Sequence, residues 1–167
     1  MRKNKKRNHQ KHPVPNHKYK DRLFRLVFNN KRDLLDLYNA LNNTCYENPN
    51  DLEVNTLEDA VYLSMKNDIS FLIGGTLNLY EHQSTYNPNM PLRGLIYLAR
   101  LYDGYVETEN INLYSNTLKK LPTPQYFVFY NGTKEQPDET TLQLTDAFES
   151  VSDNRQPCLQ CTACLLY

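Results

Sequence analysis

The segment that decides the fold is DISFLIGGTLNLYEHQ, residues 68–83. A short apolar run at 69–73 is followed by Gly74-Gly75 and then by a run at 76–84 in which apolar and polar residues alternate. A glycine pair between two such runs supplies the positive φ angles that a two-residue hairpin loop needs. The sequence therefore predicts an antiparallel hairpin in which Ile73 pairs with Thr76.

This hairpin register brings two acidic residues together. Counting outwards from the glycine pair places Asp68 opposite Glu81, and Gln83 shares their face because side chains alternate along a strand. Opposed carboxylates repel unless a cation compensates, and Mg²⁺ prefers oxygen ligands, with water and substrate phosphate completing its shell. The pattern favours metal-assisted hydrolysis of a nucleic-acid backbone, in which Gln83 orients the water or the phosphate. The alternative is that both acids lie at a solvated strand end and have no role.

Other parts of the chain carry helix and strand patterns. Apolar spacing predicts helices over 20–29, 31–42 and 91–107, and a short helix or an irregular strand over 56–66. An aromatic and β-branched run predicts a buried strand at 124–130, residues 142–148 fit a short helix or strand, and residues 158–167 are β-like. One side of the 91–107 helix is apolar and consists of Leu92, Leu95, Ile96, Ala99, Tyr102 and Val106.

Charge is distributed unevenly along the 167 residues. The 19 Lys and Arg balance the 19 Asp and Glu, but residues 1–20 hold eight of the basic residues and none of the acidic ones, which leaves a net charge of −8 on residues 21–167. With so few apolar residues, residues 1–19 are predicted to be a disordered basic arm, and 20–167 a single domain. Such an arm either holds phosphate backbones through counterion release or is a solvated tail.

Several classes of protein do not fit this sequence. No run approaches the roughly 18 apolar residues of a membrane span, and no apolar region follows the basic start as in a signal peptide. The sequence therefore predicts a cytoplasmic protein with no membrane partner. Cys158, Cys161 and Cys164 are spaced like part of a zinc or iron–sulfur site, but they supply only three ligands.

Beyond the hairpin, the chain resembles the Rpn family of recombination-promoting nucleases or putative transposases, within the PD-(D/E)XK nuclease superfamily. The most specific block is EHQS (81–84) followed by MPLR (90–93). Further similarity lies in KDRLFRLVF (20–28), in the rest of 57–106, in LYSNTLKKLPTPQYFVFYNGTKEQP (113–137) and in LQLTDAF (142–148), so that it covers about residues 19–148.

The resemblance implies an α/β fold of the restriction-endonuclease type, with a mixed central sheet flanked by helices. It also implies a metal-dependent DNA endonuclease associated with recombination or mobile elements. Because family members are generally longer, we expect residues 20–167 to be an incomplete domain, truncated at the C-terminus. The final apolar run is then expected to leave an unpaired sheet edge, which favours aggregation.

Individual roles follow from the same resemblance. Asp68 and Glu81 match the metal-binding acids, which would hold Mg²⁺ or Mn²⁺ and act in catalysis. Gln83 lies where the wider superfamily has a lysine, so a positive charge near the cleaved phosphate is missing.

Contacts to DNA and a third acid are also expected. Arg93 begins the strong helix after the acids, where a guanidinium suits a phosphate, and Lys20 is the second residue expected to bind the DNA backbone. The superfamily often adds an acid on the first core helix, and both Asp21 and Glu58 are candidates.

Two other functions stay open at this point. The chain is either an inactive truncated remnant that acts only as a DNA-binding or interaction module, or a module whose acidic body binds a basic partner. The sequence does not decide whether the protein forms a homodimer.

Overall fold

A computed structural model describes residues 30–55, 68–149 and 157–167. The predicted basic arm, the predicted helix at 20–29 and the segment 56–66 lie outside the described residues, as do Lys20, Asp21 and Glu58. The expectations for these parts of the chain stay predictions.

The described residues form an α/β structure with one mixed, six-stranded sheet. Its strands are β1 (Glu53–Val54), β2 (Ile69–Ile73), β3 (Thr76–Gln83), β4 (Thr123–Tyr130), β5 (Glu139–Gln143) and β6 (Thr162–Leu166). The spatial order is β1-β2-β3-β4-β6-β5, with β3, β4 and β6 parallel and the other neighbours antiparallel. A mixed α/β sheet is therefore confirmed.

Two α-helices within the described ranges cover opposite faces of this sheet. They are α1 (Lys31–Asn42) and α2 (Met90–Thr108), with short 3₁₀ turns at Pro49–Asp51 and Leu144–Ala147. On one face α1 packs with Phe71 and Tyr80, and on the other α2 packs with Leu77 and Leu79. Successive residues of a strand point to opposite faces, so β3 supplies core residues to both layers. No helix in the described part of the chain has the length and apolarity needed to cross a membrane.

The predicted hairpin is present with the predicted register. Ile73 pairs with Thr76, and the pairing continues outwards to Ile69 with Tyr80. Gly74 and Gly75 have φ angles of 55° and 81°, the left-handed values that a type I′ turn requires. The Tyr46 hydroxyl occupies the space that a Cβ on Gly74 would need, so both backbone conformation and packing select glycine there.

The buried side of α2 differs from the apolar side that the periodicity indicates. Met90, Gly94, Tyr97 and Leu101 face the core, whereas Leu92 is 45% exposed. The helix packs this way because Gly94 has no Cβ, which allows the ring of Tyr126 to lie directly against the helix backbone. Packing of large aromatic rings has therefore overridden the simple apolar stripe.

The end of the chain also departs from expectation. Strand β6 lies between β4 and β5 and is hydrogen-bonded on both sides, so the expected unpaired edge at the final apolar run is wrong. Ala163 and Leu165 are fully buried, because an interior strand packs its side chains under α2.

Two glycines of α2 provide a matched test of this packing. Gly104→Ala is expected to stabilise the protein by about 0.5–1 kcal/mol, because a Cβ there meets no atom and alanine is the better helix former. Gly94→Ala is expected to destabilise it by about 1–3 kcal/mol, because the new Cβ overlaps the Tyr126 ring. Urea unfolding of both variants measures the difference, and shifts of the same sign would contradict the observed packing.

Candidate functional site

The candidate site lies at the end of the hairpin opposite the glycine bend. Asp68 directly precedes β2, while Glu81 and Gln83 are near the carboxyl end of β3. Because β3 and β4 are parallel, their carboxyl ends share one edge of the sheet, and α2 begins just beyond it. This is the edge at which open α/β sheets usually bind ligands.

The two acids are held together by the backbone of the hairpin. The backbone N–H of Asp68 donates to Glu81 Oε1 over 3.1 Å, and the N–H of His82 donates to Asp68 Oδ2 over 2.8 Å. Each carboxylate therefore accepts a hydrogen bond from the opposite side of the hairpin. These bonds fix the positions of both side chains at one place, and the arrangement matches the facing pair that the register predicts.

A guanidinium compensates the more deeply buried acid. Glu81 is only 1% exposed, and its Oε2 lies 3.1 Å from Arg93 Nη2. Burial lowers the pKa of Arg93, but the hydrogen bond to Tyr97 and the charge of Glu81 outweigh it, so the net pKa is raised above its ordinary value. Arg93 is therefore a permanent cation at this position. The sequence predicts a metal ion as the compensating charge, and the structure adds this ion pair.

The Arg93 side chain keeps some access to solvent. Besides Glu81, it donates to Tyr97 Oη at 3.1 Å and to the sulfur of Met90 at 3.5 Å. A guanidinium carries five N–H donors, and this side chain is 29% exposed. Arg93 therefore holds Glu81 in place and retains donor capacity toward the outside of the site.

Tyr126 is a buried tyrosine of β4 whose ring lies against α2 at Gly94. Its hydroxyl is buried and has no hydrogen-bond partner among the described residues. Burial, and then the charge of Glu81, raise the pKa of Tyr126, whereas Arg93 lowers it less strongly. The group is thus a buried, neutral hydroxyl that the charge of Glu81 influences. No pattern in the sequence singles out Tyr126, because its position beside Leu79 depends on the parallel pairing of β4 with β3.

Gln83 lies farther along the same strand. It pairs in register with Tyr130, and its backbone carbonyl accepts a hydrogen bond from the N–H of Asn131 over 3.0 Å. Alternation along β3 puts its side chain on the face of Glu81, about 6.6 Å away along the strand. The half-buried amide therefore lies at the outer limit of the site.

The donor set suits a small divalent cation. Within the described ranges no group of three or more His, Cys, Asp and Glu residues is placed to hold a metal ion. Mg²⁺, however, is commonly held by one or two carboxylates, with waters and substrate phosphate as the other ligands. Each ionised carboxyl group has about four acceptor positions, so one carboxylate can serve more than one partner. These two residues would hold the ion.

The cysteine spacing does not produce a metal site among the described residues. Cys164 contacts Glu139, with its Sγ 3.4 Å from Oε1. Burial, together with this carboxylate, raises the pKa of the Cys164 thiol to about 11, so it stays protonated at neutral pH. A protonated thiol is a poor metal ligand.

Comparison of the chain with protein-family models, with curated proteins and with solved structures found no match.

Proposed function

We propose that this protein is a metal-dependent DNA endonuclease of the Rpn type, which hydrolyses phosphodiester bonds in recombination or in mobile elements. The observation that carries the proposal is the convergence of Asp68 and Glu81 at the carboxyl edge of β3, where the hairpin backbone orients both carboxylates. Clustered carboxylates at a ligand-binding edge are what metal-assisted phosphodiester hydrolysis needs.

The restriction-endonuclease form of the fold is part of this proposal. Its support is the order of elements: a hairpin that carries both acids, a crossover helix, and a strand β4 parallel to β3. This order places the start of α2, and with it Arg93, beside the carboxylates.

Asp68 and Glu81 would bind Mg²⁺ or Mn²⁺. When bound, such an ion lowers the pKa of a water ligand and stabilises the charge that develops on the phosphate. The chain's own contribution is to hold the ligands still. Asp68 is fixed by the His82 N–H, and Glu81 is fixed by both the Asp68 N–H and Arg93. Pre-organised ligands avoid a cost of reorientation during the reaction.

Other residues would bind and orient the substrate. Arg93 reduces the repulsion between Glu81 and a DNA phosphate, and its outward donors would bind that phosphate. Gln83 would orient the attacking water through its neutral amide. Lys20 and the basic arm 1–19 would bind the DNA backbone without sequence preference, because contacts to phosphates carry no base information.

A second candidate function is a DNA-binding module without catalysis. The observation that favours it is the ion pair itself, because Arg93 already compensates the charge of Glu81. Under this hypothesis the acid and the guanidinium stabilise the fold, and the basic arm alone accounts for DNA binding.

Cleavage of supercoiled plasmid tests the first candidate. We expect nicking with Mg²⁺, none with EDTA, and a loss of roughly 100-fold or more in Asp68→Asn, the scale seen when one electrostatic group is removed from a pre-organised site. Asp103→Asn, an exposed acid on α2, is the matched control and should cleave normally.

The other outcomes identify the alternatives. Equal nicking by wild type and Asp68→Asn, or by neither, would remove the nuclease proposal. Plasmid binding without cleavage would favour the DNA-binding module, and absence of binding at low salt would favour a protein-interaction module.

A further inference from the structure

A surface pocket of about 240 Å³ lies at the same edge of the sheet, just beyond Gln83. It lies between the segment that follows β3 and the segment that follows β4. Its lining consists of Ser84, Thr85, Tyr86, Tyr130, Thr133 and Lys134.

The pocket is shaped by the turn at 131–134. The backbone N–H of Lys134 donates to the Tyr130 hydroxyl over 3.2 Å, which folds the turn back over that ring. Gly132 allows this approach, because a Cβ there would overlap the hydroxyl end of Tyr130. The Tyr130 ring also lies against the ring of Tyr167, with centroids 5.7 Å apart. The sequence Asn-Gly-Thr-Lys thus places Thr133 and Lys134 at the pocket.

The chemistry of the lining suits an anion. The Lys134 ammonium lies 5.5 Å from the centroid of the Tyr86 ring, which holds it at the mouth through a cation–π contact. The other five lining residues all carry hydroxyl groups, and none of the described lining residues carries a carboxylate. A positive, hydroxyl-lined recess is unusual on a body whose net charge is −8.

The pocket follows the candidate metal site along the chain. Ser84 follows Gln83, and Tyr130 is the register partner of Gln83. Ser84 is three residues beyond Glu81, which corresponds to about 10 Å of extended chain. A DNA strand whose scissile phosphate lies at Asp68 and Glu81 would therefore bring a neighbouring phosphate toward the pocket.

We infer that this pocket binds the backbone phosphate next to the one that is cleaved. The inference rests on the proposed nuclease function and adds a specific subsite to it. Lys134 supplies the charge, and the hydroxyls of Thr85 and Thr133 supply hydrogen bonds. Because the contacts go to phosphate, the pocket sets the position of the strand and not the base sequence.

Binding of a fluorescent DNA duplex in EDTA, measured by anisotropy at several salt concentrations, tests the subsite without cleavage. Lys134→Ala should bind more weakly and lower the slope of log K against log salt by about 0.9, the loss of one phosphate contact, whereas Lys134→Arg should keep the slope. Lys120→Ala is the matched control, since this exposed lysine lies before β4, near the glycine bend at the opposite end of that strand. It should bind as wild type does.

Failure of the subsite and failure of the nuclease function give different results. An unchanged salt slope in Lys134→Ala, together with normal Mg²⁺-dependent cleavage, would overturn the subsite alone. A reduced slope in a protein that never cleaves would show that Lys134 binds a backbone phosphate, but it would overturn the nuclease function and, with it, the position of that phosphate next to a cleaved one. If inorganic phosphate protects Lys134 from acetylation but duplex DNA does not, the pocket serves a small phosphate ligand and the inference is wrong.

Discussion

Glu81→Gln is expected to reduce Mg²⁺-dependent DNA cleavage by roughly 100- to 1,000-fold while the protein stays folded. Glutamine keeps the shape of the side chain and an oxygen that accepts from the Asp68 N–H, so the hairpin contact at 3.1 Å is retained. What is lost is the negative charge that would bind the metal ion. Arg93 loses its ion partner but stays partly solvated, since its side chain is 29% exposed.

The measurement is the initial rate of plasmid nicking, with thermal unfolding as the test of folding. Glu107→Gln, an exposed acid farther along α2, is the matched control and should be fully active. Full activity of Glu81→Gln would mean that Glu81 is only the structural partner of Arg93.

Arg93→Met is expected to lower the free energy of unfolding by about 3 kcal/mol. The substitution keeps an apolar stem of similar length but leaves a carboxylate that is 1% exposed without its cation. An uncompensated buried charge is costly because it has lost its hydration without gaining a partner. The expected loss is at the lower end of the usual range, because water reaches the Arg93 side chain.

Urea unfolding measures this loss. The cause is identified by removing the charge of Glu81 as well. The double variant Glu81→Gln/Arg93→Met should recover most of the stability, because no buried charge is left. Arg32→Met breaks an exposed pair with Asp36 and should cost only about 0.5 kcal/mol. A double variant as unstable as Arg93→Met would rule out the uncompensated charge as the cause.

Together, the two variants distinguish the role of the Arg93–Glu81 ion pair in catalysis from its role in stability. Removing the acid should cost activity with little stability, whereas removing the guanidinium should cost stability first. We expect this difference between the two variants if Glu81 acts in catalysis and Arg93 holds it in place, but not if the ion pair only stabilises the fold.

The hairpin and its acidic corner were predictable from the sequence because local chemistry decides them. A glycine pair with positive φ angles sets the register, and alternation along β3 then places Glu81 and Gln83 on one face. The helices α1 and α2 and the strand β4 follow in the same way from the period of their apolar residues. Each of these features depends on residues close together in the chain.

Only the tertiary structure decided what surrounds the acids. The contact of Arg93 with Glu81 requires α2 to present the side that carries Gly94 and Tyr97, and the spacing of apolar residues favoured a different side. Tyr126 lies beside Leu79 because β4 is parallel to β3, a pairing between segments about 45 residues apart. The spacing of apolar residues predicts neither the buried side of α2 nor the neighbour of β4. Packing against residues distant in the chain decides both.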